Sequence, residues 1–493
     1  MKKRQALLYV SIIAFLLSAC QDSPKKSVVT SRNDGSFDTN VVQSAEESHA
    51  PDATESLTVF DTFVSTDGSV TFQVEVQNSI NTPDMPVIEV VPHTLTEEDA
   101  RNVAFALCGS SANFYEAEPM LNERYSKREI IAQINRWAPY TSTEGMQYLF
   151  PGMDQGFWES NAQTLQESIS YLTSEYLNES TQDYSHSPCQ WTFHKSSHYL
   201  YGAETAASYD SSRDNDEISI WAPIGNGEDG RYRIVTISRR DQKDYKLNNV
   251  SYMATNSGPL MIDYALYRAE KLRTDRPTEE QIEEAVHKAQ AILEQIGLGT
   301  WKVAFSAVET SPTGNVVEYM IRLTAVPVFQ GVAAIHRPQL GNLKSDTVYA
   351  SNYYLTEATF GFSADGTLMD FTLYSPVDTK QVINENVKTM TSEEMMERAK
   401  EHLSLSDAYE YGPLENITAE YTCTVQITQV EYGLTRTKVP NSDESYYYIP
   451  AGMFRGNVEY CIEDTGEVLY FQEDVPLLML NAVDGSVVPM DNE

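Results

Sequence analysis

Two stretches in the C-terminal half open in the same way, and that recurrence limits the fold more than any other feature of the chain. Thr278-Glu279-Glu280-Gln281 and Thr391-Ser392-Glu393-Glu394 each set a Thr three residues before a Gln or Glu. The Thr side chain can accept the amide at the fourth position, and the fourth side chain can answer it, so both tetrads are helix starts. Behind the first, Ile282, Ala285, Val286, Ala289, Ile292, Leu293 and Ile296 recur at steps of three and four, and Gly297 closes the helix. Behind the second, Met395, Met396, Ala399 and Leu403 line one face. Each helix is followed by alternating strand patterns. The first has Trp301-x-Val303-x-Phe305, Val317-x-Tyr319-x-Ile321-x-Leu323, and a pair around Asp365-Gly366 built on Phe360, Phe362, Met369 and Phe371. The second has Tyr421 to Val430, Tyr446 to Ile449, Val458 to Ile462, Val468 to Phe471 and Leu478 to Leu480, then an Asp484-Gly485 turn. Each copy reads as a helix laid on an antiparallel sheet, so the fold class is α+β, with units at 276–385 and 386–493.

Upstream, 57–270 reads as an N-terminal α+β domain. Phe60 to Phe63 and Val70-x-Phe72-x-Val74-x-Val76 flank Asp67-Gly68, a hairpin signal. Thr94-Leu95-Thr96-Glu97 predicts a capped helix to about Leu107, ended by Gly109. Further helices are predicted over Lys127–Trp137 and Gln163–Leu177. Strands are predicted at Trp191-x-Phe193, Ile218 to Trp221 and Tyr232 to Ile237.

The N-terminus sets the compartment. Lys2, Lys3 and Arg4 precede an apolar run from Ala6 to Leu17, too short to span a bilayer comfortably. Leu17-Ser18-Ala19-Cys20 resembles the lipobox of bacterial lipoproteins. That resemblance implies a signal peptide over 1–19, cleavage after Ala19 and a diacylglyceryl thioether on Cys20. The protein would then sit on the extracytoplasmic face of the cell membrane, held through lipid, since two acyl chains anchor stably where one does not. Residues 20–56 are rich in Ser, Asp, Glu and Thr and read as a disordered tether.

The doubled unit resembles the PepSY-type domains of bacterial extracytoplasmic proteins. The resemblance rests on Thr391-x-x-Glu394 and on Leu480-Asn481-Ala482-Val483-Asp484-Gly485-Ser486-Val487-Val488. The whole chain resembles an uncharacterised family of lipoproteins from Gram-positive gut bacteria. The carrying residues are the lipobox, Pro83-x-Met85-Pro86-Val87 running into Thr94 to Cys108, and the doubled C-terminal unit. PepSY-type modules imply inhibition of peptidases or binding to membrane sensor kinases and proteases, without a catalytic residue.

Charge narrows the partners. With 35 Lys plus Arg against 71 Asp plus Glu, the chain carries a net charge of −36, which repels nucleic acid. Of five cysteines, four remain beside Cys20: Cys108, Cys189, Cys423 and Cys461. A cross-strand bond between Cys423 and Cys461 is open geometrically, and so are free buried thiols. His186, Cys189, His194 and His198 are zinc-type ligands. On a strand, however, His194 and His198 would lie about 13 Å apart, so scattered surface histidines are the better reading. The acidic loops at 210–217 and 226–230 lack the ligand pattern of a calcium loop. Tyr446-Tyr447-Tyr448 and Tyr353-Tyr354 could stack on sugars or peptides, but sheet packing explains them more simply. Nucleophile-elbow, zincin, P-loop and dinucleotide motifs do not occur. No catalytic residue, metal ligand set or cofactor is nominated. The expectation is a lipid-anchored binding or regulatory protein that contacts a membrane protein or an envelope peptide. The competing readings are an envelope hydrolase of glycan or peptide and a solute-binding lipoprotein. The first requires a deep pocket with two carboxylates of divergent pKa. The second lacks its strand–helix alternation.

Overall fold

The computed structural model describes residues 54–81, 85–110, 112–116, 126–178, 186–195, 215–224, 231–242, 245–253, 262–313, 316–336, 356–407, 411, 420–439, 442 and 445–488. Cys20, the signal segment and the tether up to residue 53 lie outside these residues, as do His198, most of both acidic loops, Tyr353 and Tyr354, whereas 54–56, read as the end of the tether, begin a strand. In chain order the strands are β1 (Thr54–Val64), β2 (Val70–Asn81), β3 (Met85–Pro92), β4 (Tyr115–Glu116), β5 (His194–Lys195), β6 (Asn215–Pro223), β7 (Tyr232–Gln242), β8 (Tyr245–Met253), β9 (Trp301–Thr313), β10 (Val316–Phe329), β11 (Val332–Ala333), β12 (Glu357–Phe362), β13 (Leu368–Tyr374), β14 (Val377–Val387), β15 (Tyr421–Lys438), β16 (Tyr446–Ile462) and β17 (Val468–Asn481). The α-helices are α1 (Glu97–Cys108), α2 (Lys127–Trp137), α3 (Thr143–Leu149), α4 (Gln155–Leu177), α5 (Ile262–Leu272), α6 (Glu279–Ile296) and α7 (Ser392–Leu403). The protein is α+β.

Two compact units form. One takes the described residues up to Met85, Glu385–Tyr432 and those from Ile449 onward; the other takes Pro86–Asn384 and Gly433–Tyr448. These units cut across the segments 57–270, 276–385 and 386–493 drawn from the sequence. The reason is a non-local pairing: β2 lies parallel to β15, with Val70 opposite Cys423 and Val74 opposite Ile427.

In the first unit the strands run β1-β2-β15-β16, with β17 on β16. The Asp67-Gly68 hairpin forms as read, Val64 pairing with Thr71. Helix α7 starts on the Thr391 capping box and buries Met395, Met396, Ala399 and Leu403. Those side chains join Val70, Phe72, Val74, Val425, Ile427 and Phe454 in one apolar cluster. Alternation along β2 therefore reflects burial of one face. Strands β15 and β16 approach so closely at Gly456 that an added Cβ would stand 1.8 Å from the Gln426 carbonyl oxygen. The C-terminal turn has a local cause. Gly485 takes φ +73°, Asp484 Oδ1 accepts the Ser486 amide at 2.9 Å, and buried Asn481 accepts the Val483 amide at 2.9 Å.

The second unit is built on a ten-stranded sheet ordered β11-β10-β12-β13-β8-β7-β6-β4, with β9 on β10 and β5 on β6. Helices α1 and α6 contribute Ala100, Val103, Leu107, Ala285, Ala289 and Leu293 to the cluster that holds Ile220, Val235, Phe360 and Phe371. The Thr278–Gln281 capping box and the left-handed Gly297 cap both form. A satellite cluster centres on Trp137, Met146, Leu165 and Ile262. A third joins Ile88 and Val90 of β3 to Phe329, Tyr446 and Tyr448, so these tyrosines pack in the sheet.

Several local expectations are corrected. Helix α1 is capped by Thr96 with Asp99, not by Thr94 with Glu97. Asp99 accepts both the amide and the hydroxyl of Thr96 at 2.7 Å. Trp191-x-Phe193 is not a strand, because Trp191 sits at φ +56°, which breaks extension. The runs 446–449 and 458–462 are one strand, as are 468–471 and 478–480. Bulges along the β16–β17 pair break the alternation that makes a strand legible. The bond weighed for Cys423 and Cys461 is not formed; both thiols are free. Cys423 is buried in the core, whereas Cys461 lies beside buried Tyr460 on the opposite face and donates to Glu459.

Candidate functional site

The histidines singled out in the sequence separate. His194 begins the short strand β5, while the ring of His186 turns inward to Glu129. Cys189 packs against the main core of its unit. Among the described residues, no three His, Cys, Asp or Glu side chains are placed to hold a metal ion together.

His186 instead completes a buried polar cluster. Glu129 occupies the third position of α2, and its Oε2 accepts the Ser126 amide at 2.7 Å, closing a capping box. Its Oε1 accepts His186 Nε2 at 2.9 Å and the hydroxyl of Tyr232. Trp221 stacks on Tyr232 at 5.2 Å, and Tyr115 packs on His186 at 5.4 Å. Burial pushes the Glu129 carboxyl up, but the hydrogen bonds from His186, Tyr232 and Ser126 outweigh it and hold the pKa below the ordinary value. Both carboxylate oxygens are occupied, so the cluster acts as a lock between α2 and β7. The Ser126-x-x-Glu129 spacing was its one signal in the sequence.

A second polar junction centres on His93. Its Nδ1 meets Asp378 at 2.9 Å and its Nε2 meets Asp99 at 3.1 Å. A ring with both nitrogens on carboxylates is a double donor, hence a cation. Burial disfavours that cation, yet the two aspartates outweigh it and raise the His93 pKa.

Between α3 and α4 lies a polar groove of about 950 Å³, lined by Ser142, Glu144, Glu159, Gln163, Gln166 and Glu167 among others. Hydrogen bonds from its own backbone and from Ser142 hold the Glu144 carboxyl below its ordinary range, as befits a residue in the first turn of a helix.

The feature that points outward is the first half of β17. Among the described residues the first half of β17 pairs only with β16, so its other edge is open there, whereas at the far end Leu480 also bridges Val487. Val468, Leu469 and Phe471 are 52 %, 39 % and 50 % exposed. Tyr470 packs on Tyr460 at 5.9 Å and holds this half of the strand to β16. Beyond it the strand turns irregular. Asp474 takes φ +52°, its amide is accepted by Asn457 Oδ1, and Pro476 offers no N–H. Natural sheets blunt their edges with charge, bulges and proline; Val468 to Phe471 has neither charge nor proline within it, and one bulge, at Leu469, interrupts its register with β16. The run is legible in the sequence as Val-Leu-Tyr-Phe between acids, but its exposure is not.

No protein-family model matches the chain, and comparison with curated proteins gives no match. Among solved structures, the chain is similar to an uncharacterized protein from Eubacterium rectale ATCC 33656. The TM-score is 0.32 and the identity 12 %, over 92 % of this chain and 99 % of that one. It is also similar to the C-terminal domain of Bacillus megaterium YpeB, with TM-score 0.23 and 12 % identity, over 54 % of this chain and 87 % of that one.

Proposed function

We propose that this is a lipid-anchored binding protein of the extracytoplasmic membrane face. In this reading it docks on a membrane protein or an envelope peptide through PepSY-like units and performs no chemistry of its own. The observation that carries the reading is the open, apolar first half of β17. Strand addition to such an edge gains main-chain hydrogen bonds and side-chain pockets together. The lipobox at Cys20 and the tether behind it place that edge within reach of membrane partners.

The test is photo-cross-linking of the full chain in its own membrane, with a photoreactive phenylalanine analogue at position 471. A discrete adduct with one membrane protein or one envelope peptide is expected. Cys20→Ala is expected to abolish both the adduct and membrane retention. A folded, membrane-held chain that gives no adduct from position 471 overturns the docking reading, and a Cys20→Ala chain that stays on the membrane overturns the anchor.

A further inference from the structure

The edge also carries information about what it binds. Between Ile462 and Val475 stand Glu463, Asp464, Glu467, Glu473 and Asp474, with no Lys or Arg among them. Only Asp474 is compensated, by Arg455 at 3.3 Å. Glu463, Asp464, Glu467 and Glu473 make no ion pair among the described residues. Four exposed carboxylates thus bracket the four-residue apolar run Val468 to Phe471, two before it in the turn, one at its start and one just past its end. Glu459 adds a further carboxylate on the same outer face, where it pairs in register with Phe471.

We infer that the open edge of β17 receives an extended, lysine- or arginine-bearing segment of a partner protein, in which cationic and apolar residues alternate. This rests on the docking reading above and adds the chemistry of the occupant. The charge pattern decides between occupants. A second copy presenting the same edge would set these carboxylates against each other, and like charges facing across a strand pair destabilise it. Anionic lipid headgroups are repelled for the same reason. A cationic strand turns every one of these contacts favourable while its apolar residues cover Leu469 and Phe471. Alternation follows from the strand period of two, which sends successive side chains to opposite faces.

The experiment titrates the full chain with short peptides: one alternating Lys and Val, one alternating Glu and Val, and two forms of the first N-methylated at alternate residues, offset by one. N-methylation removes the donors from one edge and leaves every side chain in place. The Lys/Val peptide is expected to bind, more weakly as salt rises. One N-methylated form is expected to lose binding and the other to keep it. Glu467→Lys with Glu473→Lys is expected to weaken the Lys/Val peptide about tenfold and to admit the Glu/Val peptide. Unchanged far-ultraviolet circular dichroism and thermal midpoint establish that the variant is folded. Equal binding of both charge types overturns the cationic assignment and leaves any position-471 adduct standing. Retained binding by both N-methylated forms overturns strand addition. Binding to neutral phospholipid vesicles but to no peptide overturns the proposal in favour of a lipid surface. Absence of both peptide binding and the adduct removes this inference and the docking reading together.

Discussion

Glu129→Ala should be among the most destabilising single changes in the second unit. The carboxylate is buried, and its removal leaves three donors behind: the Ser126 amide, His186 Nε2 and the Tyr232 hydroxyl. Loss of a helix cap alone costs about 1 kcal/mol. Leaving the buried His186 and Tyr232 donors without an acceptor costs about 1–3 kcal/mol each. A total of about 4 kcal/mol is therefore expected. All five tryptophans, at 137, 158, 191, 221 and 301, belong to this unit, and Trp221 lies against Tyr232. Urea unfolding followed by tryptophan fluorescence should then show a midpoint lowered by about 1 M, for a slope near 3 kcal/mol/M. Glu129→Gln should cost less, since it keeps the shape and one acceptor. Glu129→Ala with His186→Ala should cost less than the sum of the two singles by about 1–3 kcal/mol. The pH dependence has a fixed sign. The Glu129 pKa is lowered in the fold, so its contribution is present above the unfolded carboxyl value of about 4.3 and is lost as pH falls through the folded pKa. A Glu129→Ala protein within about 1 kcal/mol of wild type at neutral pH would refute the reasoning, because it would mean the cluster stabilises nothing.

Two further outcomes follow from the packing and the second polar junction. Gly456→Ala drives a methyl into the Gln426 carbonyl across the β15–β16 pair, and backbone cannot step aside as a side chain can, so about 3 kcal/mol is expected. Cys423, whose thiol burial pushes up to about 11, serves as the probe: its labelling by a thiol reagent should quicken roughly a hundredfold, and an unchanged rate would sink the clash argument. The His93 pKa is raised, so the clamp on Asp99 and Asp378 stabilises fully below the unfolded histidine value of about 6.5 and fades as pH rises through the folded pKa. The stability gap between wild type and His93→Gln, measured by denaturant unfolding, should narrow toward alkaline pH; a gap that widens there contradicts the clamp.

The legible parts of the fold were those written within one turn or one strand. Thr278 with Gln281, Thr391 with Glu394, Ser126 with the run to Trp137, and the Asp-Gly turns at 67–68, 365–366 and 484–485 all carry their geometry in adjacent residues. Helix α5, which buries Ala265 in the Trp137 cluster and Tyr267 in the main core and so shows no single apolar stripe, lacked a strong cap signal and passed unread. The split of β16 into two runs failed for another reason: Ala451 to Phe454 is buried without alternation, which hides the period of two. The candidate edge was half legible. Its composition stands in the sequence, but openness depends on which strand lies beside it, and that is settled by the parallel match of Val70 to Cys423 far along the chain.

That match also sets a timetable. A ribosome working at about 5–20 residues per second makes Cys423 roughly 20–70 s after Val70. Through that interval the outer edge of β2, with Val70, Phe72, Val74 and Val76 on one face, waits for a neighbour not yet made. Nor does either unit close early, because the second needs Gly433–Tyr448 and the first needs β17. A nascent chain of this design carries an unpaired, apolar, aggregation-prone strand for most of its synthesis. A truncation before residue 421 would leave that strand orphaned for good, so loss of about the last seventh of the protein should be felt first at its N-terminal hairpin.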